Sequence, residues 1–410
     1  MKKIILFAGV ALLALGACSD DKMNAGFDGT SVQVAASENF AIDLQTALIE
    51  AGAGTTISLP AGTFMLDDGL SLDVKGVTLT GAGASKTILD FSGQQGAGEG
   101  LLVTSNNVIL ENFTIRDTAG DGIKSKGADN IIYRNLTVEW TGEPDADNGA
   151  YGVYPVESSN VLIDSVTVRG ASDAGIYVGQ SDHIIVRNSI AEYNVAGIEI
   201  ENSSFADVHS NIARYNTGGI LVFDLPDLPV MGGHSTRIFN NNIHDNNTPN
   251  FAPPGNIVAS IPSGTGVMIM ANENVHIFEN QFSDNQTVHI IINAYINEFS
   301  DENYNPLPRN IAVHDNAYTG GGNNPQGLLG EFAKALGGQM TSIVWDGVTH
   351  SLGKQIQDIN LAINEADNIS FFNLGVGSYP VVPENLKPNP MRPKGVAGTE
   401  PNPIILLHDK

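Results

Sequence analysis

Residues 152–223 read GVYPVESSNVLIDSVTVRGASDAGIYVGQSDHIIVRNSIAEYNVAGIEIENSSFADVHSNIARYNTGGILVF. Four copies of a glycine followed by an aliphatic residue open short strands here: Gly152-Val153, Gly175-Ile176, Gly197-Ile198 and Gly219-Ile220, at steps of 23, 22 and 22. Short β-branched runs broken by Gly, Asn, Ser and Asp at a fixed period in the twenties describe a stacked solenoid. The period lacks the leucines of a leucine-rich horseshoe and is too long for a hexapeptide repeat. About three strands and three turns per coil fit it, so the expected fold is all-β, a right-handed parallel β-helix.

A second register runs through Asn112, Asn135, Ser165, Asn188, Asn211, Asn241, Asn280 and Asn316. Each follows by three residues an aliphatic position: Ile109, Ile132, Leu162, Ile185, Val208, Ile238, Ile277 or Val313. Stacked coils bring equal positions to about 4.8 Å, so an inward Asn bonds the Asn above and below while satisfying turn backbone. One asparagine ladder is expected on this row. Another is expected at Asn194, Asn216, Asn246 and Asn285.

The 410 residues include 45 glycines, two tryptophans and 42% hydrophobic residues, enough for one long core. Lys2 and Lys3 precede the apolar run IILFAGVALLALGAC, the pattern of a signal peptide over residues 1–17. That run is too short for a membrane span. Leu15-Gly16-Ala17-Cys18 resembles a bacterial lipobox, which implies that Cys18 is the lipidated first residue of the mature chain. Ser19 behind it implies, by the sorting rules of such lipoproteins, the outer membrane of a Gram-negative bacterium, with the lipid anchor as the only membrane contact. A single cysteine excludes disulfides within the chain and thiolate metal sites. Loss of Lys2 and Lys3 takes the formal charge from −25 to −27. Such a surface repels nucleic acid, and an anionic substrate would need a local Lys, Arg or bound cation.

Residues 18–36 are small and polar and read as a tether. Asn39–Ala51 places Phe40, Leu44, Leu48 and Ile49 at helical spacing, a helix to cap the apolar end of the solenoid. The β-helix is expected over 37–375, with a short helix near Pro325–Leu336 and a hairpin or strand pair in TSIVWDGVTH. Residues 376–410 are proline-rich and are expected to wrap the C-terminal end or run along the side. The asparagine spacings widen from 23 to 30, 30, 39 and 36 in four coils. The extra residues fall at Thr141–Gly149, Asp224–His234, Asn247–Gly264 and about Asn297–Leu307, all flanking the Gly-aliphatic strand. Loops gathered along one face of a solenoid mark a binding face.

Alternation on that strand puts Lys124, Tyr154, Tyr177, Glu199, Leu221 and Met268 outward, towards solvent, with His289 continuing the row. Two residues further on come Lys126, Val156, Gly179, Glu201 and Phe223. Tyr154 and Tyr177 on adjacent coils suit stacking on sugar rings, and a Lys, Tyr or His suits removal of the proton alpha to a uronate carboxylate. The candidate catalytic residues are Lys124, Tyr154, Tyr177 and His289. Asp173, Glu199, Asp224 and His234 are candidates for holding substrate. Asp173, Glu199 and Glu201 form an oxygen-only set that suits calcium rather than zinc or copper. His183, His209, His276 and His314 lie in or beside the middle strands and read as solvent-facing strand residues.

Leu59-Pro60-Ala61-Gly62-Thr63-Phe64 and Thr80-Gly81-Ala82-Gly83 resemble the opening of pectin-lyase-like proteins. SDAGIYVGQS, NVAGIEIENS, GGILVFDLP and NFAPPG resemble a bacterial family of secreted or lipid-anchored parallel β-helix repeat proteins of unestablished function. More distantly the coils resemble pectate lyases, alginate lyases, mannuronan epimerases and the copper-site maturation protein of nitrous oxide reductase. The epimerase-type DPHD string is missing, and the nearest acidic loop is Glu143-Pro144-Asp145-Ala146-Asp147. These readings lead to an exported lipoprotein whose loop-lined groove binds glycans, an acidic polysaccharide among them, or a periplasmic protein. Two alternatives stand beside it: a polyuronate lyase or epimerase, and a periplasmic metal-handling protein.

Overall fold

The computed structural model describes residues 30–407 except 97, 336, 352–353, 356–358, 380–384 and 396. Residues 1–29, with the signal peptide and Cys18, lie outside the described residues. Each coil gives one strand to each of three parallel sheets. In one coil, Ala174–Gly179 joins an 11-stranded sheet, Asp182–Arg187 a 12-stranded sheet and Ile190–Glu192 a 10-stranded sheet. We call these the loop-face, middle and short-strand sheets. Their inner faces enclose one apolar core that runs from Val34 to Phe371.

The Gly-aliphatic pair has a packing cause. Gly175 and Ile176 both face inward, and a β-carbon on Gly175 would lie 2.6 Å from the Asn194 amide. Gly197 meets Asn216, Gly219 meets Asn246 and Gly266 meets Asn285 in the same way. Each glycine therefore makes room for the ladder asparagine of its own coil. That ladder is continuous, since Asn194, Asn216 and Asn246 donate to the next Oδ1 at 3.0, 2.9 and 3.0 Å, ending on Asn285. All four are buried, and their Oδ1 atoms also accept turn backbone N–H groups.

The other expected row divides into two columns. Asn112, Asn135, Ser165 and Asn188 stack with Ser210, Asn240, Glu279 and Asp315, all in the left-handed region at φ 50–66°. Asn tolerates that conformation better than most residues. Asn211, Asn241, Asn280 and Asn316 belong one position later, below Ser189, and they form the buried ladder with links of 3.0, 2.9 and 3.0 Å. The aliphatic row splits with it. Ile109, Ile132, Leu162 and Ile185 face outward, whereas Val208, Ile238, Ile277 and Val313 fill the core.

The cap is the helix Phe40–Glu50, which buries Phe40, Leu44 and Leu48 and stacks Phe40 on Phe64 at 3.7 Å. Ile49 is exposed. Ser31–Gln33, inside the expected tether, already pairs in parallel with Thr56–Ser58. A second helix spans Gly327–Ala335. In TSIVWDGVTH, Ile343–Trp345 extends the loop-face sheet, and Val348–Ser351 pairs elsewhere, with Gly377–Tyr379 and Lys354–Gln355. The chain then returns along the outer face of the middle sheet, where Leu406 covers Ile132, Leu162 and Ile185. Arg237 anchors it, bonding Asp207 at 2.6 Å and Glu400 at 3.1 Å. Among the described residues no helix is long and apolar enough to cross a membrane.

Candidate functional site

Strand register places Lys124 beside Tyr154 and Tyr177 beside Glu199, and the row runs on through Leu221, Met268, Ile291, Val344 and Phe372. The row stands outside the solenoid core as expected, yet from Tyr177 onward it is closed off from solvent. Tyr177, Glu199, Glu201, Leu221 and Phe223 are buried under the inserted loops. Val258 and Ile261 from Asn247–Gly264, with Tyr304 and Leu307 from the following insertion, complete a second apolar layer on this face. Ile261 seats over Gly218, where a β-carbon would lie 3.2 Å away.

Gly179 shapes the centre of the site. It is the Cα partner of Glu201, and a β-carbon there would collide with the Tyr177 ring. The phenol therefore lies across bare backbone, and its hydroxyl donates to Glu201 Oε1 at 2.6 Å. Tyr151, Tyr154 and Tyr177 form an aromatic trio with ring centroids 4.5–4.9 Å apart. Asp173 Oδ2 accepts from Asn256 Nδ2 at 2.9 Å and from the Tyr151 hydroxyl at 3.3 Å. Glu199 is 1% exposed, and neither of its carboxylate oxygens has a hydrogen-bond partner among the described residues. A buried carboxyl in that state costs free energy, and far less as the neutral acid than as the carboxylate.

Electrostatics follow from burial. Glu201 is pushed up to about 7, first by burial and then by Asp173 and Asp224, with the Tyr177 bond opposing. Asp173 rises to about 6 by burial, and Glu199 rises well above the carboxylate range through burial and the neighbouring Glu201 and Asp173. Burial and the same carboxylates drive the Tyr151 and Tyr177 phenols far upward, and burial with Asp121 and Glu201 pushes Tyr154 to about 12. The tyrosines are thus neutral donors, while Glu201 and Asp173 titrate close enough to neutrality to both give and take protons, and Glu199 is held further towards its protonated form.

A cleft of about 290 Å³ opens onto Glu201, walled by Leu225 and Leu228, by Gly255 and Asn256, and by Tyr295 and Asn297. Three of the four insertions supply or adjoin these walls. Asp224 holds one of them in shape rather than facing the cleft: its Oδ1 accepts from Gly232 N and Gly233 N at 2.8 Å, and its carbonyl accepts from Tyr304.

Other expected residues fall elsewhere. His289 does not continue the outward row, because Ile291 does. It occupies the glycine column, inside the solenoid, with Asn285 Nδ2 3.1 Å from Nδ1 and the Gly320 carbonyl 3.0 Å from Nε2. There Gly321 lies against His289 where earlier coils set Asn against Gly, so in this coil the large residue and the glycine change places. His234 stands at the start of a middle-sheet strand, edge-on to Phe205 at 5.0 Å, apart from the carboxylates. Lys124 is committed, with Nζ 3.3 Å from Glu99, 3.6 Å from Asp121 and 4.8 Å from the Tyr154 ring centre. His276 is buried rather than solvent-facing. Among the described residues no group of three or more His, Cys, Asp or Glu is placed to hold a metal ion, so Asp173, Glu199 and Glu201 do not form the calcium cage expected of them. Tyr151 and Asn256 were outside the expected set. Tyr151 shares a face with Tyr154 because the two intervening residues, like Gly175 and Ile176, both turn inward. Asn256 comes from a non-repeating loop that carries no register.

Residues 75–230 match the sequence profile of the right-handed β-helix region. No curated protein matches the sequence. Solved structures with the same fold include the A-modules of two Azotobacter vinelandii mannuronan C-5 epimerases. The AlgE4 module has TM-score 0.51 and 16% identity, covering 82% of this chain and 92% of its own; the AlgE6 module has TM-score 0.52 and 16% identity, covering 87% and 94%. An exopolygalacturonase from Thermotoga maritima has TM-score 0.51 and 11% identity, covering 87% and 91%. The fold is a right-handed parallel β-helix.

Proposed function

We propose that this chain is an exported, Cys18-anchored outer-membrane lipoprotein whose loop-walled cleft binds a polysaccharide of low negative charge, with Glu201 and Glu199 as a proton-handling pair. The observation that carries the reading is the pairing under the tyrosine trio: one buried carboxyl held by Tyr177, the other without a partner, beside a cleft. A sugar ring offers apolar C–H faces to aromatic rings and hydroxyls to carboxyl groups. A carboxyl that titrates near neutrality serves as general acid towards a glycosidic oxygen or as general base towards the attacking water. The sharing of this fold with proteins named as a mannuronan epimerase and an exopolygalacturonase supports a polysaccharide as the partner class.

Lyase or epimerase action on a uronate needs its carboxylate neutralised before the alpha proton leaves. Here Lys124 is paired twice, Lys126 faces Glu157 at 3.7 Å, and the site itself is acidic. That balance favours neutral or amino sugars over polyuronates. Among the described residues these carboxylates are not placed as a metal-holding group, and calcium has no part in this reading.

The test is a panel of neutral, amino-sugar and uronate polysaccharides, scored for retention on the protein, release of reducing ends, unsaturated uronate by ultraviolet absorbance and epimerisation by NMR. Retention of a neutral or amino-sugar polymer is expected. Retention or turnover of uronate polymers alone, or retention of none, overturns the reading.

A further inference from the structure

Next to the Glu201 cleft lies a second chamber of about 240 Å³ with an apolar lining. Met268, Met270 and Ile291 come from the outward rows of later coils, Leu329 from the helix Gly327–Ala335, and Leu374 and Val376 from the C-terminal coil. Ile257, Ser260, Tyr295 and Asn297 line both cavities, so the two share a wall.

Three observations separate the chamber from a packing defect. An apolar cavity of about 150 Å³ already stays dry and accepts a benzene-sized guest, and this one is larger, with two methionines whose side chains adapt to varied shapes. At its border the Asn293 Oδ1 is buried without a hydrogen-bond partner among the described residues. Leu328 and Ile296, also on its lining, are 66% and 44% exposed, leaving apolar side chains in water where the chamber reaches the surface.

We propose that the chamber takes the apolar part of an amphiphilic saccharide, an alkyl or acyl chain whose attached sugar occupies the neighbouring cleft. This rests on the glycan reading above and narrows its substrate class to glycolipids or acylated glycans. The shared wall sets the polar and apolar halves side by side, as the two ends of one such molecule require. Asn293 Oδ1, on the lining of the chamber, is an acceptor for a hydroxyl or amide N–H of the bound molecule.

Titration calorimetry with maltose and with hexyl, octyl and decyl β-maltoside, each below its micelle concentration, tests it. Affinity is expected to rise by about fourfold per added methylene until the chamber is full. Leu329→Trp, in the roof helix, and Met270→Trp, on the sheet, are each expected to flatten that dependence, so one can fail to fold without losing the test. Glu201→Gln is expected to weaken every member of the series by a similar factor. Equal affinities for hexyl and decyl maltoside overturn the chamber assignment. So does a slope that survives both tryptophan variants, which would seat the chain on the outer surface. If unsubstituted oligosaccharides bind while the slope is flat, the chamber assignment falls alone. A slope that persists while Glu201→Gln changes nothing overturns the sugar half of the proposal, and with it the glycan reading.

Discussion

Tyr177 and Glu201 stand on neighbouring coils, and the Tyr177 hydroxyl donates a 2.6 Å hydrogen bond to the Glu201 carboxylate across the bare backbone of Gly179. The bond favours the charged form of Glu201, whereas burial, Asp173 and Asp224 oppose it. Glu199, two residues earlier on the same strand, has no such donor among the described residues. Two carboxyls on one face thereby acquire different proton affinities, the usual basis for dividing acid and base roles.

Tyr177→Phe removes the hydrogen bond that favours the charged form of Glu201, so the Glu201 titration should move above about 7. The loss of one partner of a buried hydrogen bond should cost about 1–3 kcal/mol. Carbon-13 NMR of labelled glutamate carboxyls, read beside urea unfolding, checks both. A downward shift would contradict the assignment.

Stability should fall as pH rises through neutrality. Glu201 and Asp173 titrate at about 7 and about 6 in the folded protein, above 4.5 and 3.8, and Glu199 is raised as well. Between those limits the native state holds more protons than the unfolded chain, so the slope of stability against pH is negative there. Their contribution is complete below the unfolded values and is lost as pH passes the folded ones. Glu199→Gln should flatten the slope and be the more stable protein at about pH 8. Urea midpoints at about pH 5 and about pH 8 decide this, and a wild-type midpoint higher at about pH 8 would count against buried, proton-holding acids.

Asn211→Leu and Asn188→Leu should differ. Asn211 Nδ2 donates to Asn241 Oδ1 and to the Val186 carbonyl, and its Oδ1 accepts from Ser189 N, all in the buried column. Its loss should cost about 1–3 kcal/mol or more. Asn188 is an exposed turn residue at φ 52°, so leucine there meets backbone strain but leaves no buried group unpaired. Equal melting shifts for the two would mean that the ladder column is misassigned.

Arg237→Met leaves Asp207 buried beside an apolar side chain, where Arg237 now donates from both Nε and Nη2. Breaking such a pair should cost about 3–5 kcal/mol and loosen the returning C-terminal segment, which bonds Asp207 through Ile404 N. Faster amide exchange near Ile404 together with a lower melting point is the expected result; an unchanged exchange rate would show that the segment is held by Leu406 alone.

The period, the three strands per coil and the capping helix were legible because a solenoid repeats its packing problem in every coil. The Gly-aliphatic pair even carried its reason, the asparagine that each glycine faces. The long ladder row misled at one point: the step from Asn188 to its true partner Ser210 is one residue shorter than the step to Asn211, and the column changes from turn to core there. The outward row of Tyr177 and Glu199 was readable from alternation. Its burial was not, because the covering loops occur once and have no register. His289 misled for a related reason, since its coil replaces glycine with a bulky residue only where the ladder ends.

The role of Glu201 on a glycan is tested most directly by equilibrium binding of the polysaccharide retained in the panel to wild type, Glu201→Gln and Glu199→Gln, with circular dichroism confirming the fold of each. Binding weakened by tenfold or more in Glu201→Gln, with its pH dependence near neutrality abolished, is the predicted result. Full wild-type binding by both folded variants would contradict it and place the functional surface elsewhere on the solenoid.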